Sequence, residues 1–140
     1  MKVLLAVDGS PYTQRMLDYL VSHPDLLGKV EEYTVLTVVP AIPSHPASFV
    51  GRDVVEGYYK EQADLVLDPV RAFAHKHDWK LDARYAAGHG PDIIAKVANS
   101  GNFDLLLMGT HGHSALSGLV LGSVTSRVIA QTKLPVLLIR

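Results

Sequence analysis

The chain of 140 residues contains no cysteine. That excludes a disulfide framework and thiol chemistry, and with them the disulfide-stapled class of small fold. It has no surplus of charge: 13 Lys and Arg stand against 14 Asp and Glu, a net charge of −1 with His neutral. Without a basic field no nucleic-acid partner is expected, and without a cationic face no membrane surface. No apolar run approaches the roughly 20 residues that cross a bilayer. The N-terminal MKVLLAV has the look of a leader, but its apolar run stops at Asp8 and no cleavage site follows. A soluble, cytoplasmic protein is the expectation. What remains is ordinary globular composition, 48% hydrophobic and 19% charged. The length predicts a single domain, residues 1–140, large enough for a sizeable core.

Strands and helices alternate along the chain. Lys2–Val7 reads as a buried strand ended by Asp8-Gly9. Ser10 is placed to cap a helix from Pro11 to Ser22, with Pro11 at the first helical position and Met16, Leu17, Leu20 and Val21 on one stripe. Glu32–Val39 is a second strand, rich in β-branched residues and closed by Pro40. The stretch Pro40–Arg52 carries three prolines and reads first as a mobile loop, second as a lid over a ligand. A helical region follows from Asp53 to His77, with Val55, Tyr58, Tyr59, Leu65, Val66, Val70, Phe73 and Ala74 supplying apolar faces. Pro69 inside it means either a kink or a new helix capped by Asp68. Lys80–Ala86 alternates as an edge strand does, and Pro91–Asn99 reads as a short helix. Alternation of this kind predicts an α/β fold with a parallel sheet and helices on both faces. In such sheets ligands bind outside the carboxyl ends of the strands.

The most informative stretch is Asp104–Ser126, DLLLMGTHGHSALSGLVLGSVTS. A buried strand, Leu105–Met108, runs into a loop with glycines at 109, 112, 118 and 122, and Ser123 opens a helical run from Val124 to Thr132. A helix start presents unpaired N–H groups and partial positive charge, and glycines allow a close backbone approach or a positive φ. Together these make an anion site suited to phosphate, with the hydroxyls of Ser123 and Thr125 in reach. The competing reading is a surface loop in which Gly122 is a turn and Ser123 an N-cap.

The spacing Gly109-x2-Gly112-x9-Gly122-Ser123 resembles the nucleotide-binding signature of the universal stress protein family, and the resemblance runs from Leu4–Ser10 at the start to Pro135–Ile139 at the end. It implies an open, doubly wound sheet of five parallel strands in the order 3-2-1-4-5. It implies an ATP-binding member of the family, taking ATP with Mg²⁺ and acting as a nucleotide-dependent regulator or sensor in the stress response. Gly109, Gly112, Gly122 and Ser123 match the ribose and phosphate motif; Thr110, His111, Val124 and Thr125 lie within or beside it. Asp8 matches a contact to adenosine, though it also reads as a turn residue bonding nearby N–H groups. Ala6 and Val38 match positions that touch the base, where core packing is an equal reading, and Met108 at the end of the fourth strand joins that set. The resemblance also implies a homodimer through the last strand, Val136–Ile139, an apolar run that would be a pairing liability at an exposed edge. The rival readings are a nucleotide-free dimeric interaction protein and a slow ATPase.

Other chemistries find no support. The Walker A pattern GxxxxGK[ST] is absent, which excludes a P-loop ATPase. Gly112-His113-Ser114-Ala115-Leu116 falls short of a nucleophile elbow because Leu116 stands where glycine is required. A receiver domain needs an aspartate after its third strand, where Tyr85-Ala86-Ala87-Gly88 stands here. His89, His111 and His113 read as solvated loop histidines rather than metal ligands, and Arg127 as a solvated side chain. No acid–base pair and no well-placed cation serves phosphoryl transfer, so slow hydrolysis at most is expected.

Overall fold

A computed structural model describes residues 1–44, 49–113, 118 and 120–140. Residues 45–48 of the Pro40–Arg52 stretch, and 114–117 and 119 of the glycine loop, lie outside the described residues; the lid reading and the near-elbow fall partly on them.

The elements are β1 (Val3–Ala6), α1 (Pro11–Ser22), β2 (Tyr33–Val39), α2 (Arg52–Lys76), β3 (Leu81–Ala87), α3 (Gly90–Ser100), β4 (Leu105–Gly109), α4 (Ser123–Gln131) and β5 (Val136–Ile139). All five strands pair in parallel in the order β3-β2-β1-β4-β5. This is the expected doubly wound sheet. The strand order reverses between β1 and β4, so the crevice opens beyond the carboxyl ends of those two strands.

The period-2 geometry of the central strands divides the core. Val3, Leu5 and Val7 of β1 and its extension, with Leu107 of β4, pack against Met16, Leu17 and Leu20 of α1 and Ala63, Leu67 and Val70 of α2. Leu4, Ala6, Leu106 and Met108 point the other way, onto Ile94 and Ala98 of α3 and Val128 of α4. Leu5 faces Val35 on one side and Leu107 on the other. Burial on both faces is why these strands read as continuous apolar runs rather than alternating ones.

Several local expectations are corrected. Of the two readings of Pro69, the new helix capped by Asp68 is not found: α2 runs through Pro69 over 25 residues. Pro69 has no N–H to offer the Leu65 carbonyl, and both residues lie on the exposed face, so the lost bond does not fall in the core. Tyr58 and Leu65 do not supply a core face; Leu65 is 68% exposed, and the helix buries Ala63, Leu67, Val70 and Ala74 instead. Ser10 occupies the cap position of α1 but makes no capping bond, and its buried hydroxyl has no partner among the described residues.

Leu107 is fully buried between two neighbouring strands and the α1/α2 layer. Leu107→Ala is expected to cost about 2–5 kcal/mol in urea denaturation, and a loss under about 1 kcal/mol would show that the layers close over the hole.

Candidate functional site at the carboxyl end of the sheet

A cavity of about 700 Å³ opens where β1, β2 and β4 end. That volume lies in the range of small-molecule and cofactor sites. Its apolar wall holds Ala6, Val38 and Met108; its loop wall holds Asp8, Gly109, His111, Gly112, Gly122, Ser123, Val124 and Thr125. Of the residues singled out from sequence, only Thr110 does not line it. Thr110 is buried behind the loop, where its N–H donates to Ile139 O at 3.0 Å and its carbonyl accepts from Gly122 N at 2.7 Å.

The glycines work by close approach. A Cβ on Gly109 would sit 2.6 Å from Tyr12 Cβ, one on Gly122 would sit 3.1 Å from His111 Cα, and one on Gly112 would run into the Asp8 carboxylate. The alternative use of these glycines, positive φ, is found only at Gly118, at 86°. The backbone of 109–112 is thereby pressed onto the end of β1, and the two sequence signals become one wall.

Asp8 serves the turn through one oxygen. Oδ1 accepts from Ser10 N at 2.9 Å and from the Thr13 hydroxyl at 3.2 Å, while Thr13 Oγ1 accepts from the N–H groups of Asp8 and Gly9 at 3.1 and 3.2 Å. This is the turn role considered for Asp8; Oδ2 remains at the face shared with Gly112. Across the loop, His113 Nε2 donates to the Asp8 carbonyl at 2.6 Å, which assigns the proton to Nε2. His111 Nδ1 lies 3.0 Å from Thr110 Oγ1, and its ring meets Tyr12 at 5.2 Å. His111 is therefore packed into the loop rather than simply solvated. No group of three or more His, Asp or Glu side chains placed to hold a metal occurs among the described residues.

The start of α4 carries the strongest chemical signal. Gly122, not Ser123, is the N-cap, and no side chain caps the helix. The first bond of the helix runs from Ser126 N to Gly122 O at 3.0 Å. The N–H groups of Ser123, Val124 and Thr125 precede it and have no intrahelical acceptor. They open at the cavity with the positive end of the helix dipole. The Ser123 hydroxyl is exposed beside them. That of Thr125 is not available, because it donates to Gly109 O at 3.0 Å and ties the helix to the end of β4.

Sequence reasoning missed the contributions from the helices. Tyr12 and Thr13 reach the cavity from α1, Gln62 and Val66 from α2, Gly90 and Ile94 from α3. Gln62 did carry a signal: it is a polar residue on the inward stripe formed by Tyr59, Ala63, Val66 and Val70. Arg127, expected to be solvated, lies 3.4 Å from His89 Nε2, and His89 Nδ1 lies 2.9 Å from Asp92. Hydrogen bonds from Gln131 and then His89 hold the Asp92 carboxyl below its usual range.

The family model for the universal stress protein family matches residues 1–140. A universal stress protein of Synechocystis is 32% identical over 139 residues, covering 99% of this chain and 42% of the relative. The chain thus spans less than half the length of that relative. A universal stress protein of Thermus aquaticus is 31% identical over 140 residues, covering 99% of this chain and 97% of the relative. Among solved structures, MJ0577 superposes with a TM-score of 0.78 at 25% identity, covering 99% of this chain and 94% of that one. An Arabidopsis thaliana family protein with AMP bound superposes at 0.67 with 17% identity, covering 99% and 91%, a likeness of fold. With the same sheet order and a model match along its whole length, the chain belongs to the universal stress protein family.

Proposed function

We propose that this chain is an ATP-binding member of its family, a nucleotide-dependent regulator or sensor in the stress response. One observation carries the reading: three uncapped N–H groups at the start of α4 open into a cavity whose loop wall is pressed inward by Gly109, Gly112 and Gly122. Unpaired donors and a helix dipole favour a phosphate there. The apolar wall of Ala6, Val38 and Met108 suits a base, and Asp8 Oδ2 offers an acceptor for a ribose hydroxyl. The AMP held by the Arabidopsis protein of this fold supports an adenine nucleotide as the guest.

A Mg²⁺ accompanying ATP would be carried on the phosphates, because Asp8 is the only carboxylate lining the cavity among the described residues. No Lys or Arg among the described residues lines it, so little there stands ready to stabilise charge on a transferring phosphoryl group. That favours retention of the nucleotide over turnover, with slow hydrolysis at most.

Ser123→Ala and Thr125→Val separate ligand contact from loop support. Ser123→Ala removes one hydrogen bond to a charged group, about 1.5–3 kcal/mol. Affinity for ATP in isothermal titration calorimetry should fall roughly tenfold to a hundredfold, and an unchanged affinity would make Ser123 a helix residue only. Thr125→Val leaves the part-buried Gly109 carbonyl short of a donor, and should cost about 1–3 kcal/mol in chemical denaturation. A Thr125→Val protein as stable as the wild type would show that Gly109 O finds water instead.

We propose further that the chain forms a homodimer through β5. This strand is the sheet edge beyond β4, and Val136, Leu137 and Leu138 are only half-buried. An apolar edge of this kind is stabilised by cover. Light scattering at micromolar concentration should give twice the chain mass, and a monomer alone would refute the proposal.

A further inference from the structure

The sheet order sets out the parts of a bound nucleotide in a row. The start of α4 follows β4, Asp8 follows β1, and β2 is the next strand beyond β1. A phosphate at α4 and a ribose at Asp8 therefore direct the base to the end of β2. There Thr37, Val38, Val39 and Pro40 line the cavity, and Gln62 and Val66 reach it from α2.

Two uncharged polar side chains in this part of the cavity are committed to nothing else. Thr37 alternates with Val35 and Val39, which pack into the α1/α2 layer, so it points to that layer. It is only 3% exposed, and its hydroxyl has no hydrogen-bond partner among the described residues. The one orphaned hydroxyl among them that is sealed from solvent is that of Ser10, so the Thr37 oxygen opens to the cavity that Thr37 lines.

Gln62 shares a stripe of α2 with Tyr59 and Val66, three residues before it and four after. Both ends of the stripe are fixed on the walls of the cavity. The Tyr59 hydroxyl accepts from Ile42 N at 2.9 Å, just beyond Pro40, and Val66 stands 3.3 Å from where a Cβ on Gly9 would lie. Gln62 is half-buried between them and lines the cavity, and its amide has no hydrogen-bond partner among the described residues. By contrast, Thr13 is spent on Asp8, Thr125 on Gly109 O and His113 on Asp8 O.

We propose that Thr37 and Gln62 read the base, selecting adenine through its 6-amino group; this rests on the nucleotide reading given above. The Gln62 amide presents an acceptor beside a donor. Adenine presents the complement, its amino group beside a ring nitrogen that accepts. The Thr37 hydroxyl rotates to donate or to accept on the same edge. Val38, Val39 and Val66 keep the surroundings apolar, so a polar atom left without a partner there costs affinity.

The test is calorimetric titration of the full-length protein with ATP and with purine riboside 5′-triphosphate, which lacks only the 6-amino group. The wild-type protein should bind ATP about fivefold to a hundredfold more tightly, a comparison that needs no variant. Gln62→Leu, and Thr37→Val with its similar shape, should each weaken ATP and bring that ratio toward one. A purely structural role would weaken both nucleotides by the same factor. Equal affinities in the wild-type protein, or a ratio that both variants leave unchanged, would overturn the assignment of Thr37 and Gln62 and leave nucleotide binding standing. Binding of neither nucleotide would overturn the nucleotide reading, and this assignment with it.

Discussion

The carboxyl end of this sheet depends on how close one stretch of backbone comes to another. The chain at Gly109–Gly112 lies against Tyr12 and Asp8, and Gly122 lies against His111. A side chain at Gly109 would run into Tyr12 Cβ, one at Gly122 would press on the His111 backbone, and one at Gly112 would displace the Asp8 carboxylate. The glycines are needed for the space a Cβ would take, rather than for a left-handed conformation, which only Gly118 adopts in this loop.

The close packing is held by a small set of hydrogen bonds. Thr110 joins the loop to β5 through Ile139 and to Gly122 through its carbonyl. Thr125 returns from α4 to Gly109, and His113 reaches Asp8 O across the cleft. Each polar group used in this way is spent on position. What stays unspent is the row of N–H groups at the head of α4, where a glycine N-cap supplies no side-chain oxygen. Donors placed in this way would meet an anion with little reorganisation.

The two ends of the sheet have different chemistry for one structural reason. At the carboxyl end, strands run into helix starts, which present donors and room for a ligand across the β1/β4 reversal. At the amino end, helices run back into strands through loops, so helix ends there present carbonyl acceptors instead of N–H donors. There the chain places Tyr33, Trp79 and Phe73 together although they come from β2, the approach to β3 and the end of α2.

By itself the sequence determined the elements and their order. Strands buried on both faces need long apolar runs, and helices between parallel strands need breakers and starts at each end, so both leave marks that local reading recovers. Even the bounds of α1 and β5 were legible, because Pro11 and Pro135 punctuate them. The glycine spacing marked the loop wall of the site. Tertiary structure alone decided the rest. That α2 passes through Pro69 follows from which face meets water, and that Ser10 does not cap while Asp8 holds the turn follows from where Thr13 lands. Gln62, Tyr12 and Ile94 join the cavity because helices from both faces lean over the ends of the strands. Such contacts depend on distance between segments far apart in the chain, and no local pattern of residues encodes that distance.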